Sequence, residues 1–168
     1  ADAGVNVEIV KQICKAWSKL RDETALAEFL AEHNLDSALA ARITRLVRYN
    51  VLERIKSNPF ALISLSKATL PNLRTIAAVG ESIGFTGNDD KACVGLVEFA
   101  LYEQLARGHT MVEIEALKQR LSTLKKITHA TIPSEQIIVA ALKQKAVCVY
   151  KENGVTYIQP IGAACNKR

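Results

Sequence analysis

Two prolines divide the middle of the chain into short helices. Asn58-Pro59 stops the run Val51-Leu52-Glu53-Arg54-Ile55 and starts the next helical turn, because proline tolerates the first helical position but not an interior one. Leu70-Pro71-Asn72 breaks the chain again and launches a helix over Leu73 to Val79. Upstream, Asp36-Ser37 is a helix N-cap signature ahead of Ala38 to Ile43. Punctuated in this way, the stretch from Asp36 to Gly84 folds as a compact helical module. Its tight turns and helix N-termini present backbone amides to a partner.

Charge falls in blocks. From Ser37 to Gly80 there are seven Lys/Arg and one acid, a net of +6; Asp22 to Asp36 has five acids and no Lys/Arg. Glu81 to Ala116 is again acidic, at −5, and Leu117 to Lys151 is about +6. Cationic short helices with exposed N-termini are what a nucleic-acid backbone needs. Ordinary solvated helix faces give the same pattern, so the blocks are weighed about equally between the two readings.

Val5 to Leu20 reads as an amphipathic helix with Val7, Val10, Ile13, Cys14, Trp17 and Leu20 turned inward, Trp17 as a core anchor. Ala25 to His33 is a second helix. Aromatics are only 5% of the chain, so Leu, Ile, Val and Ala must fill the core. A loop at Gly84, Gly87, Asn88 and Asp89 precedes the longest helix, Asp90 to Arg107, with Gly108 as its natural end. Helices over Glu113 to Leu124 and Gln136 to Lys145 follow. Ala146 to Lys151 and Val155 to Gln159 are strands joined by an Asn153-Gly154 hairpin turn. Helix, short extended piece, helix, helix, hairpin is the order of a winged-helix module. The tail after Pro160 is expected to fray.

No catalytic constellation is present. There is no phosphate-cradling Gly-x-x-x-x-Gly-Lys-Ser/Thr. Gly80-Glu81-Ser82-Ile83-Gly84 has the letters of a nucleophile elbow but lacks the strand that must precede the serine. Glu113 and Glu115 favour a helix N-terminus rather than each other. The four cysteines and three histidines show no metal-ligand spacing, and the thiols read as those of a reducing compartment. No stretch approaches the length of a membrane span and no signal peptide is visible, so the expectation is a cytoplasmic chain without membrane contact. It opens on Ala rather than Met, as an excised piece of a longer protein does.

Ile13-Cys14-Lys15-Ala16-Trp17, Leu26-Ala27-Glu28-Phe29-Leu30, Leu35 through Ile43 and Asn58-Pro59-Phe60-Ala61-Leu62 resemble, in that order, the N-terminal helix–hairpin–helix region of RecD/TraA-type DNA helicases, relatives of the exodeoxyribonuclease V alpha subunit. The resemblance runs on through Ile76-Ala77, Arg107-Gly108-His109-Thr110 and Val155 to Pro160. It implies a mainly α fold: a helix–hairpin–helix module over 1–88, then the winged-helix-like module with its C-terminal β-hairpin over 89–160, and a tail over 161–168. It implies a parent helicase of DNA repair, recombination or plasmid transfer, whose ATP- and Mg-dependent motor follows this region. The chain itself would hold no cofactor. Its partners would be DNA, single-stranded or junction and read without sequence preference, and the motor domain of the same parent. Where family members carry a Gly-Ile-Gly-Phe-like hairpin, Leu70-Pro71-Asn72-Leu73 stands here without either glycine. Contact with DNA is therefore expected to pass to side chains.

The expected DNA contacts are Ser37, Arg42, Arg45 and Arg48 along one helix, Asn72 and Arg74 at the degenerate hairpin, and Lys143, Lys145 and Lys151 at the wing. Two other readings stand beside this one, a protein-docking scaffold and a free-standing winged-helix regulator. Arginines that pair with Asp22, Glu28 or Glu32 would favour the scaffold. Lacking a phosphate loop, the purified chain is expected to hydrolyse no ATP, with or without DNA. A coupled ATPase assay on contaminant-free protein checks this.

Overall fold

In the computed structural model of the chain, residues 6–35, 38–46 and 50–161 are described. The chain forms two compact units, Ala1–Ser57 and Asn58–Arg168.

The first unit is α1 (Val7–Glu32), α2 (Ala38–Leu46) and α3 (Val51–Ser57), with α2 and α3 both packed on α1. Asn6 caps α1, its side-chain oxygen accepting from the Glu8 amide at 3.1 Å. A left-handed Asn34 ends the helix, and the Leu35 amide reaches back to the Leu30 carbonyl at 2.8 Å. Where the sequence pattern predicts two helices, Val5–Leu20 and Ala25–His33, there is one. Arg21-Asp22-Glu23-Thr24 contains neither glycine nor proline, and the Thr24 hydroxyl donates to the Leu20 carbonyl at 2.9 Å inside an unbroken helix. Val5 and the Asp36-Ser37 cap lie outside the described residues.

Leu26 and Leu30 of α1, Ala40 and Ile43 of α2, and Val51 and Ile55 of α3 are all buried. The stripe expected to face inward does not. Trp17 is 67% exposed and Leu20 60%, and Val7, Val10, Ile13 and Cys14 are exposed with them. The reason is geometric. Helices of nine and seven residues cannot cover one of 26. They lie against the Leu26–Leu30 line, roughly 140° around the helix from the stripe. Trp17 is thus not a core anchor.

The second unit opens with a 3-10 turn (Pro59–Ala61) that runs into α4 (Leu62–Leu65), followed by α5 (Leu70–Ile83) and α6 (Asp90–Ala106). Then come β1 (Val112–Glu113), α7 (Ile114–Thr128), α8 (Ser134–Lys143), β2 (Val147–Glu152) and β3 (Val155–Pro160). The three strands form an antiparallel sheet in the order β1-β3-β2, in which buried Ile158 of β3 stands between Val112 and Val149. The expected hairpin turn is present. Asn153 and Gly154 both adopt positive φ, and Glu152 pairs with Val155 across them. The helix expected from Leu73 starts three residues earlier, because Pro71 fits its first turn and Thr69 caps it. Ser82 therefore lies within α5, with no strand before it. Residues 162–168 of the tail lie outside the described residues.

α6 is the axis of this unit, with α4, α7, α8 and the 3-10 turn packed around it. It is buried around most of its circumference, through Ala92, Cys93, Leu96, Val97, Phe99 and Leu101, and leaves one side to Lys91, Glu98 and Tyr102. Phe60 is wedged between α5 and α6 where each carries a glycine. A Cβ at Gly80 would lie 2.8 Å from the Phe60 ring tip, and one at Gly95 would lie 2.9 Å from both Phe60 Cβ and Ile63 Cδ1. The ring then meets Phe85 edge-on, with centroids 6.0 Å apart.

These contacts rank two substitutions. Gly95→Ala pushes on the Phe60 Cβ, which cannot move without its backbone, and is expected to destabilise the unit by about 1–3 kcal/mol. Gly80→Ala meets only the ring's far end and should cost clearly less. In a Phe60→Leu background the cost of Gly95→Ala should change, since touching residues are not additive. Urea unfolding followed by far-UV circular dichroism measures all three.

Candidate nucleic-acid interface

In the first unit, α1, α2 and the start of α3 enclose a cleft of about 430 Å³. Lys15, Lys19 and Asp22 enter from α1, at spacings of four and three that place them on one helix face. Thr44 and Arg45 enter from α2, and Asn50 from the turn into α3. Buried Thr44 donates its hydroxyl to the Ala40 carbonyl at 2.7 Å and offers no free proton. The cleft's charge is thus set by three cations against one carboxylate.

Arg42 and Arg45 are both exposed on α2, and neither forms an ion pair with a described residue. Asp22, Glu28 and Glu32 do not neutralise them. α2 carries no acid in its first turn. Ser37 and Arg48, expected on the same helix, lie outside the described residues. The sequence-based set omits Lys15 and Lys19, because the apolar pattern of α1 places both on the solvated face of a core helix.

The second unit contains two helix–hairpin–helix pairs that share α5. The first hairpin, between α4 and α5, is Ser66 to Thr69. The Thr69 hydroxyl accepts from the Asn72 amide at 3.4 Å, and Asn72 Nδ2 donates to the Lys67 carbonyl at 2.9 Å. Asn72 therefore braces its own turn. Lys67 and Arg74 are exposed beside it, and no acid lies in the first turn of α5. This end of α5 is capped by a neutral hydroxyl and flanked by cations.

The second hairpin, between α5 and α6, has the glycines that the first lacks. Gly84 ends α5 in the left-handed region, and Gly87 lies so close to the end of α7 that an added Cβ would collide with the Thr128 carbonyl. Asn88 clasps the same turn, its Oδ1 accepting from the Thr131 amide at 2.8 Å and its Nδ2 donating to the Thr131 hydroxyl at 2.7 Å. Asp89 accepts the Thr86 amide at 2.7 Å, and Asp90 stands in the first turn of α6. Gly84 thus serves the helix end and Gly87 a contact within the protein, and the carboxylates of Asp89 and Asp90 crowd the same turn. The spacing Gly84-x-x-Gly87 between two helical patterns is the sequence signal for this hairpin.

The remaining expected residues are more scattered. Lys143 is exposed in the last turn of α8, Lys145 is exposed just beyond it with φ 56°, and Lys151 is exposed on β2. Arg120 is committed elsewhere, holding Glu103 of α6 through two bonds of 2.9 and 2.7 Å. Buried Cys93 has its thiol pushed up to about 11 by desolvation and by Asp90 and Asp89, so it is not a nucleophile. Among the described residues no group of three His, Cys, Asp or Glu could hold a metal, and no helix is long and apolar enough to cross a membrane.

Two short helix–hairpin–helix pairs sharing one helix define a helix–hairpin–helix protein. Residues 19–111, more than half of the chain, match the model of the ATP-dependent RecD2 DNA helicase HHH domain, and the chain belongs to that family. No curated protein matches the sequence. The resemblance read from the sequence is thereby borne out, and the matched span extends beyond residue 88 to include all of α6.

A smaller cleft beside Phe60 is lined by Ser64, Lys91, Glu98 and Tyr102. Burial raises the Glu98 carboxyl above its ordinary value, and burial together with Glu98 raises Tyr102. A partly buried carboxylate without a described ion-pair partner makes this cleft unsuited to a phosphate. A carboxyl whose folded value is raised favours folding while protonated, and that contribution is lost as pH rises from the unfolded value through the folded one. Glu98→Gln is therefore expected to be more stable than the parent at pH near neutral, with the two converging in acid. Urea midpoints across that pH range test the sign.

Proposed function

We propose that this chain is a non-catalytic DNA-binding accessory region of a RecD2-type helicase, and that it holds the DNA backbone without reading sequence. The observation that carries this reading is that no described residue forms an ion pair with Arg42 or Arg45, both exposed on α2, while Lys15 and Lys19 line the cleft that Arg45 enters. Arginine's planar fork suits phosphate oxygens, and unpaired cations need not break an ion pair before binding. Ser37 and Arg48, outside the described residues, are further contacts in this proposal. The Lys67–Arg74 hairpin, braced by Asn72, is the second contact. Single-stranded or junction DNA is the proposed form, in repair, recombination or plasmid transfer, with ATP and Mg confined to a motor elsewhere in the parent protein and the cytoplasm as the setting.

The element order α6-β1-α7-α8-β2-β3, with β1 paired to β3, supports a winged-helix reading of residues 89–160. Lys143, Lys145 and Lys151 would there supply phosphate contacts that position rather than specify. In this division residues 58–88 of the helix–hairpin–helix part share the second compact unit with the wing.

Arg42→Gln/Arg45→Gln and Lys15→Gln/Lys19→Gln, measured by fluorescence anisotropy on labelled single strands over a salt series, test the proposal. Removing one phosphate-binding cation should flatten the log–log salt dependence by ~0.7. Thermal midpoints should barely move, since exposed surface changes lie within about 0.5 kcal/mol. Parent-like binding by both variants, or no binding by the parent at low salt, would favour the docking-scaffold reading.

A further inference from the structure

The exposed stripe on α1 has a finer pattern than amphipathicity alone. Val10, Ile13, Trp17 and Leu20 follow one another at spacings of three, four and three, the a–d–a–d repeat of a helix that packs along another helix. All four are exposed, at 40, 50, 67 and 60%.

From this we propose that α1 pairs with α1 of a second copy of this chain, antiparallel, about a dyad near Lys15. In that register Val10 faces Leu20 of the second copy and Ile13 faces Trp17, and the twofold axis repeats each pair. The seam is therefore self-complementary, as an isologous contact requires. The flanking positions agree with it. Cys14 meets Cys14 of the second copy on one side of the dyad and Ala16 meets Ala16 on the other, small residues that let the helices approach closely. Ile9 and Val7 add apolar edges further out. The next layer at either end pairs Asn6 with Thr24, two polar side chains that bound the seam and fix its register.

Charge complements this arrangement by its placement. Lys11, Lys15 and Lys19 lie roughly 140–180° around the helix from the seam, so the two copies do not set like charges against each other. Both basic clefts stay open, since Lys15 and Lys19 line them from the opposite face. The seam spans Val7–Leu20, ~21 Å of helix. Two such stripes bury on the order of 1,000 Å², the low end for a specific interface, so the dimer is weak and reversible.

Nuclease-treated chain, followed by sedimentation velocity over two decades of concentration, is expected to move from 18.4 kDa toward twice that mass. Emission from Trp17, the only tryptophan, should shift to the blue in step. Ile13→Lys and Leu20→Lys should each abolish the dimer while leaving the far-UV spectrum unchanged, because both residues are exposed. Mild oxidation should link the copies through Cys14, and Cys14→Ser should remove that link. A mass that stays at the monomer value throughout overturns the proposal, whether the Trp17 emission is that of a bare indole or of one covered within its own chain. A dimer that survives both lysine substitutions overturns the surface, and one that never cross-links at Cys14 overturns the antiparallel register.

Discussion

The seating of Phe60 against Gly80 and Gly95 sets the geometry of the second unit. A 3-10 turn of three residues and a helix of four have no stability of their own, since helix nucleation is unfavourable and too few bonds follow it. They are held because Pro59, Phe60, Leu62 and Ile63 are buried against α5 and α6. The two glycines remove the methyl groups that would keep the ring out. Once that piece is fixed, so are the end of α4 and the start of α5, and with them the hairpin that carries Lys67 and Arg74. The asparagine–proline break that punctuates the sequence is thus the lead-in to the packing wedge.

The two hairpins on either side of α5 share an architecture and differ in electrostatics. One has a neutral cap, two flanking cations and no glycine. The other has both glycines, but its carboxylates and its close approach to the end of α7 commit it to contact within the protein. Glycine in a hairpin permits a close neighbour without specifying which kind, and the surrounding charge decides between a phosphate and a carbonyl. Here the glycine-bearing hairpin meets the Thr128 carbonyl.

What could be read in the sequence was what is decided locally. The Asn153-Gly154 turn, the proline boundaries, the long α6 and the exposed arginines of α2 all follow from residues within a few positions of one another. Two features were not legible because their cause is distant. The continuity of α1 through Arg21–Thr24 depends on the absence of a breaker, which a pattern search reads as a gap in periodicity. The exposure of Trp17 depends on the lengths of α2 and α3 and on which face of α1 they take. An apolar stripe announces that something covers it, and its sequence does not say whether the cover lies in the same chain. The sheet pairing of β1 with β3 is likewise a long-range outcome, since a two-residue strand has no periodicity to read.

Both surfaces of the first unit follow from a mismatch in length. α1 rises ~39 Å and α2 only ~14 Å, so much of α1 must stand clear of its own bundle. On the line that carries Leu26 and Leu30 within the bundle, the overhang carries Lys15 and Lys19; the same face turns from apolar to cationic as the neighbours run out. The cleft forms at that change, where the end of α2 brings Arg45 to the lysines. On the opposite line the apolar residues Val10, Ile13, Trp17 and Leu20 are exposed, and their three–four spacing suits a helix from outside. A longer α2 would bury the lysine face and close the cleft. A shorter α1 would lose the seam and leave the cleft without its far wall. The overhang therefore makes both faces available at once, one chemically fitted to phosphate and the other to a second helix.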